Sequence, residues 1–438
     1  MLPKKKEILN KLKTLVSNKK LLFWTKKSTL SILDQGVFAG GNFLLNLLLA
    51  RWLKPEDYGV FALTYAIFLL LTAFHNSVLV EPVSVFGPKK YLNNLIEYKK
   101  NIVAVHFFLM TIFSILLCLP AFLITHFYFI ELKRTMLYML LSAPFILFFY
   151  LIRKTFYINL NLRKALFSSL LNLFLIMGLV YIMYKKETLL VEFIFPALAI
   201  ASFFSGLLFS FNIKSIKKEI NVVNIENKTI IKENWKYGKW ILATSSLTWL
   251  SGNFYYIILP FWVGLSEVGA LRAYLNLPLP AIHVITALSA LFIPLMSKHL
   301  HEKGIQGVFK DIKIFLFIGF FLSVVFSLLL VLFDKEILFL LYKGKYENYI
   351  NMIFIVALLP LLNVLIQAFA SVLRVLEKTK YIFHCYIFSS IGGLVVGVIL
   401  LEILGFEGAF WGMLVSYMIS AGVLFISSYY SGIRKKND

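Results

Sequence analysis

Residues 41–59 read GNFLLNLLLARWLKPEDYG, and residues 252–269 read GNFYYIILPFWVGLSEVG. Each stretch carries Gly-Asn-Phe inside an apolar run and then a Trp and a Gly seven positions apart: Trp52 and Gly59, Trp262 and Gly269. The offset between copies is 211 residues at Gly-Asn-Phe and 210 at Trp and Gly, and Pro82 and Pro294 follow further along at nearly the same offset, 212. An apolar run of this length is membrane-spanning material, so the repeat is one of membrane segments.

The rest of the chain agrees. Of 438 residues, 60% are hydrophobic and 15% charged, against ~45–50% apolar and ~25% charged in a soluble domain. A soluble globular protein is excluded. Twelve apolar runs can be delimited, at 28–50, 58–80, 102–124, 135–152, 165–184, 188–212, 238–262, 268–296, 310–333, 350–373, 381–403 and 408–431. Backbone in lipid must satisfy its own hydrogen bonds, and continuous apolar runs do so as helices, whereas a barrel needs alternating strands. The expected fold is an all-α polytopic membrane protein with twelve transmembrane helices in two parallel six-helix lobes. Residues 28–212 form the first lobe, 213–237 a cytoplasmic linker and 238–431 the second. Residues 1–27 form a basic amphipathic segment with Ile8, Leu12, Leu15 and Val16 at helical spacing, and 432–438 a tail.

The net charge of +22 follows from topology. With the amino terminus inside, 34 of the 44 Lys and Arg fall on the cytoplasmic side, so the positive-inside rule puts both termini in the cytoplasm without invoking nucleic acid. Cys118 and Cys385 each lie in an apolar run, which excludes a disulfide framework and a cysteine metal site. The Lys-rich start lacks the pattern of a cleaved signal. An even number of spans per copy gives the copies a common orientation, an architecture for alternating access around a midplane site.

The run Asp34–Leu63 (DQGVFAGGNFLLNLLLARWLKPEDYGVFAL) resembles the opening of the Wzx-like polysaccharide flippases of the MATE-like superfamily. Glu81–Tyr91 (EPVSVFGPKKY) is similar to the segment closing their second span, and Gly405–Gly412 (GFEGAFWG) to the turn before their last. The likeness in span number and lobe order covers essentially the whole chain. It implies a flippase of the bacterial inner membrane that moves polyprenyl-diphosphate-linked oligosaccharide to the outer leaflet for O-antigen or capsule synthesis. Its implied partners are the lipid-linked oligosaccharide, membrane lipids, and a polysaccharide polymerase and co-polymerase.

Candidate site residues are polar groups inside spans. In span 1, Ser28, Ser31, Gln35, Ala39, Asn42 and Asn46 recur at intervals of three and four and share one helix face. Span 2 contributes Tyr65, Thr72 and His75, span 7 Asn253 and Tyr256, and span 8 Asn276 and His283 with Pro278 and Pro280 as an expected kink. Interhelical hydrogen bonding is the ordinary alternative use of such residues. Arg272, about one turn into span 8, is the first candidate for a diphosphate, because guanidinium binds phosphate bidentately; the alternative is snorkelling to the interface. Asp34, six residues into span 1, is the candidate for a coupling Na⁺ or H⁺ or for a structural pair, and His75 and His283 for proton relay or sugar contacts. The pairs Gly36/Gly40, Gly393/Gly397 and Gly408/Gly412 are expected to pack helices closely. GxxxxGK[ST] and HExxH do not occur, and the external connections are short, so an enzyme such as a membrane glycosyltransferase is not expected. The runner-up is a cation-coupled small-molecule or multidrug exporter.

Overall fold

A computed structural model describes the backbone over residues 3–91, 94–127, 130–158, 160–210 and 226–437, and side chains from Lys26 onward, except at 28, 95, 120–122, 124–127 and 432–437. The side chains of the amphipathic segment, residues 213–225 of the linker and the side chains of the tail lie outside the described residues.

The described chain is helical, in the order α1 (Pro3–Trp52), α2 (Pro55–His75), α3 (Glu81–Lys89), α4 (Leu95–Phe127), α5 (Leu132–Ile158), α6 (Leu162–Lys185) and α7 (Ile194–Ser210). Then follow α8 (Asn227–Trp262), α9 (Leu265–Asn276), α10 (Leu279–Leu332), α11 (Asp334–Tyr342), α12 (Ile353–Val375), α13 (Thr379–Leu404) and α14 (Phe406–Asn437). A π-helical segment, Asn76–Val80, joins α2 to α3 without a loop. Among the described residues ten helices are long and apolar enough to cross a membrane. One of them, α10, has 54 residues, about 80 Å at 1.5 Å per residue, far more than one ~30 Å crossing. It turns at Gly304, whose φ of 63° is left-handed and suits a residue without a Cβ; its second arm carries predicted span 9, and its first arm together with α9 carries predicted span 8. The seventh predicted span lies within α8, which is not among the ten because Thr, Ser, Asn, Tyr and Trp residues lower the hydropathy of its uncharged stretch. Pro278 and Pro280 interrupt the helix between α9 and α10, as their spacing predicts.

Contacts divide the chain into two compact units, one of residues 1–44, 75–123 and 137–238, the other of 45–74, 124–136 and 239–438. Both bury small hydroxyls within an apolar core and expose large apolar side chains: Ser168, Ser169, Ser289 and Ser371 are buried while Phe174, Phe317, Leu332 and Trp240 are exposed. That distribution fits hydrocarbon, where apolar surface carries no penalty and small hydroxyls bond helix to helix.

In the first unit, Leu79, Val83, Tyr98, Ile102, Leu151 and Ile230 form a core that gathers α3, α4, α5 and the start of α8. Gly238 of α8 lies so close to the carbonyl of Ser77 that a Cβ would overlap it. The Lys90 ammonium pairs with the Glu233 carboxylate, and Tyr91 Oη donates to Glu233 Oε2 at 2.8 Å. The Glu233 bond holds Lys90 above its ordinary pKa. Burial raises Glu233, but the bonds from Lys90 and Tyr91 outweigh it and leave the carboxyl below its usual range.

The second unit turns on one contact. The amino-terminal turns of α2 and α9 cross so closely that a Cβ on Gly59 would overlap the Leu265 carbonyl, and one on Gly269 the Pro55 carbonyl. Pro55 and Leu265, like Gly59 and Gly269, are 210 apart, so the two copies of the repeat meet through equivalent atoms. Lys345 Nζ donates to the carbonyls of Arg51 and Leu53 at 2.7 and 2.6 Å and caps the end of α1, a favourable place for a cation. Further along, Tyr255 Oη donates to the Gly393 carbonyl at 2.7 Å, wedged against Gly397 and Gly412. The predicted glycine packing therefore holds for α13 and α14 but not for Gly36 and Gly40, whose Cβ positions meet nothing within 4 Å: that face of α1 has no close neighbour.

Gly59→Val or Gly269→Val is expected to destabilise the protein by at least the ~1–3 kcal/mol of ordinary overpacking, because the obstacle is backbone. Gly36→Ala should stay within about 0.5 kcal/mol; thermal unfolding in detergent separates the two. The Lys90–Glu233 contact should be constant from about pH 6 to about pH 9. Its contribution is present above the ordinary Glu value of 4.5 and lost as pH falls through the lowered one, so Glu233→Gln should flatten the acid limb of a plot of unfolding temperature against pH.

Candidate functional site

The glycine crossing brings the first turns of α2 and α9 together, and side chains of the two helices meet beyond it. On α2, Tyr58, Phe61, Tyr65 and Phe68 recur at intervals of three and four and stack in sequence, with ring centroids 5.4 to 6.0 Å apart. On α9, Arg272 and Asn276 are one turn apart and face that ladder. The Arg272 guanidinium carbon lies 5.0 Å from the Tyr65 ring centre and 5.6 Å from that of Tyr256, and Nε donates to Asn46 Oδ1 at 3.2 Å. Asn276 Nδ2 donates to Tyr58 Oη at 2.9 Å, and its carbonyl oxygen is buried without a hydrogen-bond partner.

No carboxylate stands within ion-pair distance of Arg272 among the described residues. It sits seven residues beyond the start of α9, about 10 Å by helix rise, and its head lies among tyrosines and an amide. A cavity of about 160 Å³ opens beside it, lined in part by Asn253, Tyr256, Asn276, Met413 and Tyr417. At ~30 Å³ per water this admits a phosphate-sized group and not a sugar chain.

The structure thus brings together Asn46, Tyr65, Tyr256, Arg272 and Asn276, with Asn253 on the cavity wall. Tyr58 and Tyr417 were not singled out from sequence; Tyr58, seven residues before Tyr65 on one face, was the detectable one. Thr72, on the same helix as Tyr65, donates to the Phe68 carbonyl and does not line the cavity, and His283 is exposed on α10. Asn42 and Asn253 also bond back to their own helices, at Phe38 and Trp249.

The remaining candidates belong to the first unit. Gln35 is exposed and donates to Ser31 Oγ. Asp34 is fully buried and pairs with Arg153, whose Nη2 lies 2.8 Å from Oδ2 and whose Nε reaches both oxygens at 3.1 Å. Tyr157 Oη and Ser169 Oγ each add a bond of 2.5 Å. Arg153 and Tyr157, one turn apart on α5, are the partners missed from sequence. His75 is buried against His106. No cluster of three or more His, Cys, Asp or Glu able to hold a metal occurs among the described residues.

No family model and no curated protein matches the sequence. Solved structures do. A multidrug resistance MATE family transporter of the MOP superfamily superposes with a TM-score of 0.78 at 14% identity, over 92% of this chain and 96% of that one. The fold is MATE-like. The lipid II flippase MurJ gives a TM-score of 0.72 at 13% identity, over 92% and 87% of the two chains. A eukaryotic MATE transporter gives 0.68 at 12%, over 95% and 99%. The all-α, MATE-like architecture that the family resemblance implied is thereby shown.

Asp34→Asn leaves the Arg153 charge buried without its partner and should cost about 3–5 kcal/mol. Replacing both, Asp34→Leu with Arg153→Met, should cost less than the sum of the single changes, as read from thermal unfolding of the three variants.

Proposed function

We propose that this protein is a flippase for oligosaccharides carried on polyprenyl diphosphate, moving them from the cytoplasmic to the outer leaflet of the inner membrane by alternating access. The observation that carries the proposal is Arg272: a guanidinium deep in α9, with no carboxylate partner among the described residues, beside a cavity of phosphate size. A charge within a span is expensive and by default functional. Here an amide and two aromatic faces hold the group in place without neutralising it, and its remaining N–H donors suit a diphosphate. The fold it shares with a lipid flippase supports a lipid-borne cargo. The glycan would continue O-antigen or capsule synthesis, with the polymerase and co-polymerase downstream. Both termini would be cytoplasmic, from the distribution of Lys and Arg.

A multidrug exporter, the other activity carried by this fold, is disfavoured by the same residue, since a fixed positive charge repels organic cations. Proteoliposomes holding a fluorescent polyprenyl-diphosphate oligosaccharide test the choice. Flipping is expected, with at least a tenfold loss in Arg272→Ala, about the 1.4 kcal/mol of a single charged contact. Arg272→Lys, which keeps the charge but not the planar fork, should fall between. Extrusion of cationic dyes with no lipid movement would overturn the assignment.

A further inference from the structure

The first unit contains a second polar centre that the cargo site does not use. His75, the last residue of α2, and His106 of α4 are both fully buried. Their hydrogen bonds run in one direction only. His106 Nε2 lies 2.9 Å from the carbonyl oxygen of Pro144; a carbonyl can only accept, so Nε2 carries the proton and Nδ1 of the neutral ring is bare. That bare nitrogen is 3.1 Å from His75 Nε2, which must therefore donate. The other nitrogen of a neutral His75, Nδ1, is then unprotonated, and it is buried without a hydrogen-bond partner. A carbonyl on α5 fixes the tautomers of two histidines and leaves one vacant basic nitrogen at the end of the chain.

Its surroundings hold no counter-charge. His106 packs edge-on against Phe107, at 5.0 Å, and tilted against Phe148. Pro144 and Phe148 are what α5 contributes, and α8 contributes the Gly238 backbone against Ser77. His106 is the one titratable group acting on His75 among the described residues, and the neighbouring Asn76 amide is the polar side chain beside its ring. The next five residues, Asn76–Val80, form the π-helical segment, with the Glu81 N–H bonded to the Asn76 carbonyl. A π segment is a local break in the regular α ladder that often marks a functional site.

We propose that the His75–His106 pair is a proton-binding site in which His75 Nδ1 takes up one proton, and that this proton is the ion coupled to transport. The new N–H bond forms on the vacant lone pair with a proton from water, and no bond in the pair breaks, because His106 keeps its own N–H on Pro144. A charged ring in a dry aromatic site is costly without new solvation, so proton uptake favours a state in which the π-helical segment opens to water. Proton occupancy is thereby linked to a conformational change. The coupling half of the proposal rests on the transport function above; the binding half does not.

Nitrogen-15 spectra of histidine-labelled full-length protein in lipid nanodiscs test the binding half without any cargo. His75→Gln assigns the His75 signals among the seven histidines. At about pH 8 His75 should show a proton on Nε2 only. On acidification to about pH 5 it should gain a second on Nδ1, with faster deuterium exchange over residues 75–83. In His106→Leu, which removes the acceptor, the single tautomer at pH 8 should give way to a mixture. A ring that remains neutral across this range, or that carries its proton on Nδ1 at pH 8, overturns the site. For coupling, an imposed pH gradient should accelerate lipid flipping in proteoliposomes, and His75→Gln should abolish the acceleration. A gradient response that survives in His75→Gln overturns the coupling role. Absence of any flipping with a normally titrating His75 overturns the transport reading and leaves the proton site standing.

Discussion

Two glycines, Gly59 and Gly269, let the amino-terminal turns of α2 and α9 approach backbone to backbone, and the candidate site is built on that approach. With the helices joined at that level, Tyr65 on α2 comes beside Arg272 on α9, and Tyr58 beside Asn276. A single methyl group at either glycine would meet a carbonyl oxygen that belongs to the helix itself and cannot rotate away. The same constraint explains why the repeat keeps a Gly at the equivalent position in both copies. A self-complementary contact between equivalent residues requires the same small residue at the same height on both helices.

Hydrophobic patterning made most of the fold legible, because a membrane imposes a coarse requirement: about twenty apolar residues and no unpaired backbone. Runs such as 350–373 and 381–403 coincide closely with α12 and α13. The patterning could not show that spans 8 and 9 continue into each other with only a turn at Gly304, since the lysines around 298–313 read as a loop. They sit in helix, with His299 bonded to Asp311 across the turn at 2.7 Å. Nor did spacing distinguish Gly36/Gly40, which pack against nothing, from Gly393/Gly397, which grip the Tyr255 ring. The motif is the same in both, and only the presence of a neighbouring helix differs.

The site was partly legible for a related reason. Polar residues inside an apolar run announce themselves, and Arg272, Asn46, Tyr65, Tyr256 and Asn276 all did. Their partners were less visible when they were ordinary in context. Arg153 lies near the end of a span and counts among the topological cations, yet its guanidinium turns inward to Asp34. His106 is one more residue in a long apolar helix until the Pro144 carbonyl gives its ring a direction.

Asp34 and Arg272 show two solutions to the same cost. Either charge within a span needs compensation. Asp34 receives it in full, from a guanidinium, a phenol and a serine hydroxyl, which leaves its carboxylate closed to further ligands. Arg272 receives an amide oxygen and two aromatic faces. A cation over an aromatic ring gains about 0.5–2 kcal/mol, less than the penalty of several kcal/mol for an ion removed from water. The neutral form is not an escape, because guanidinium does not deprotonate in proteins. Under the proposed function, an anion with several oxygens in the adjoining cavity would supply the balance. Within one chain, one buried charge is fully satisfied by its neighbours, and the charge left under-compensated beside a cavity is the one on which the proposed cargo site rests.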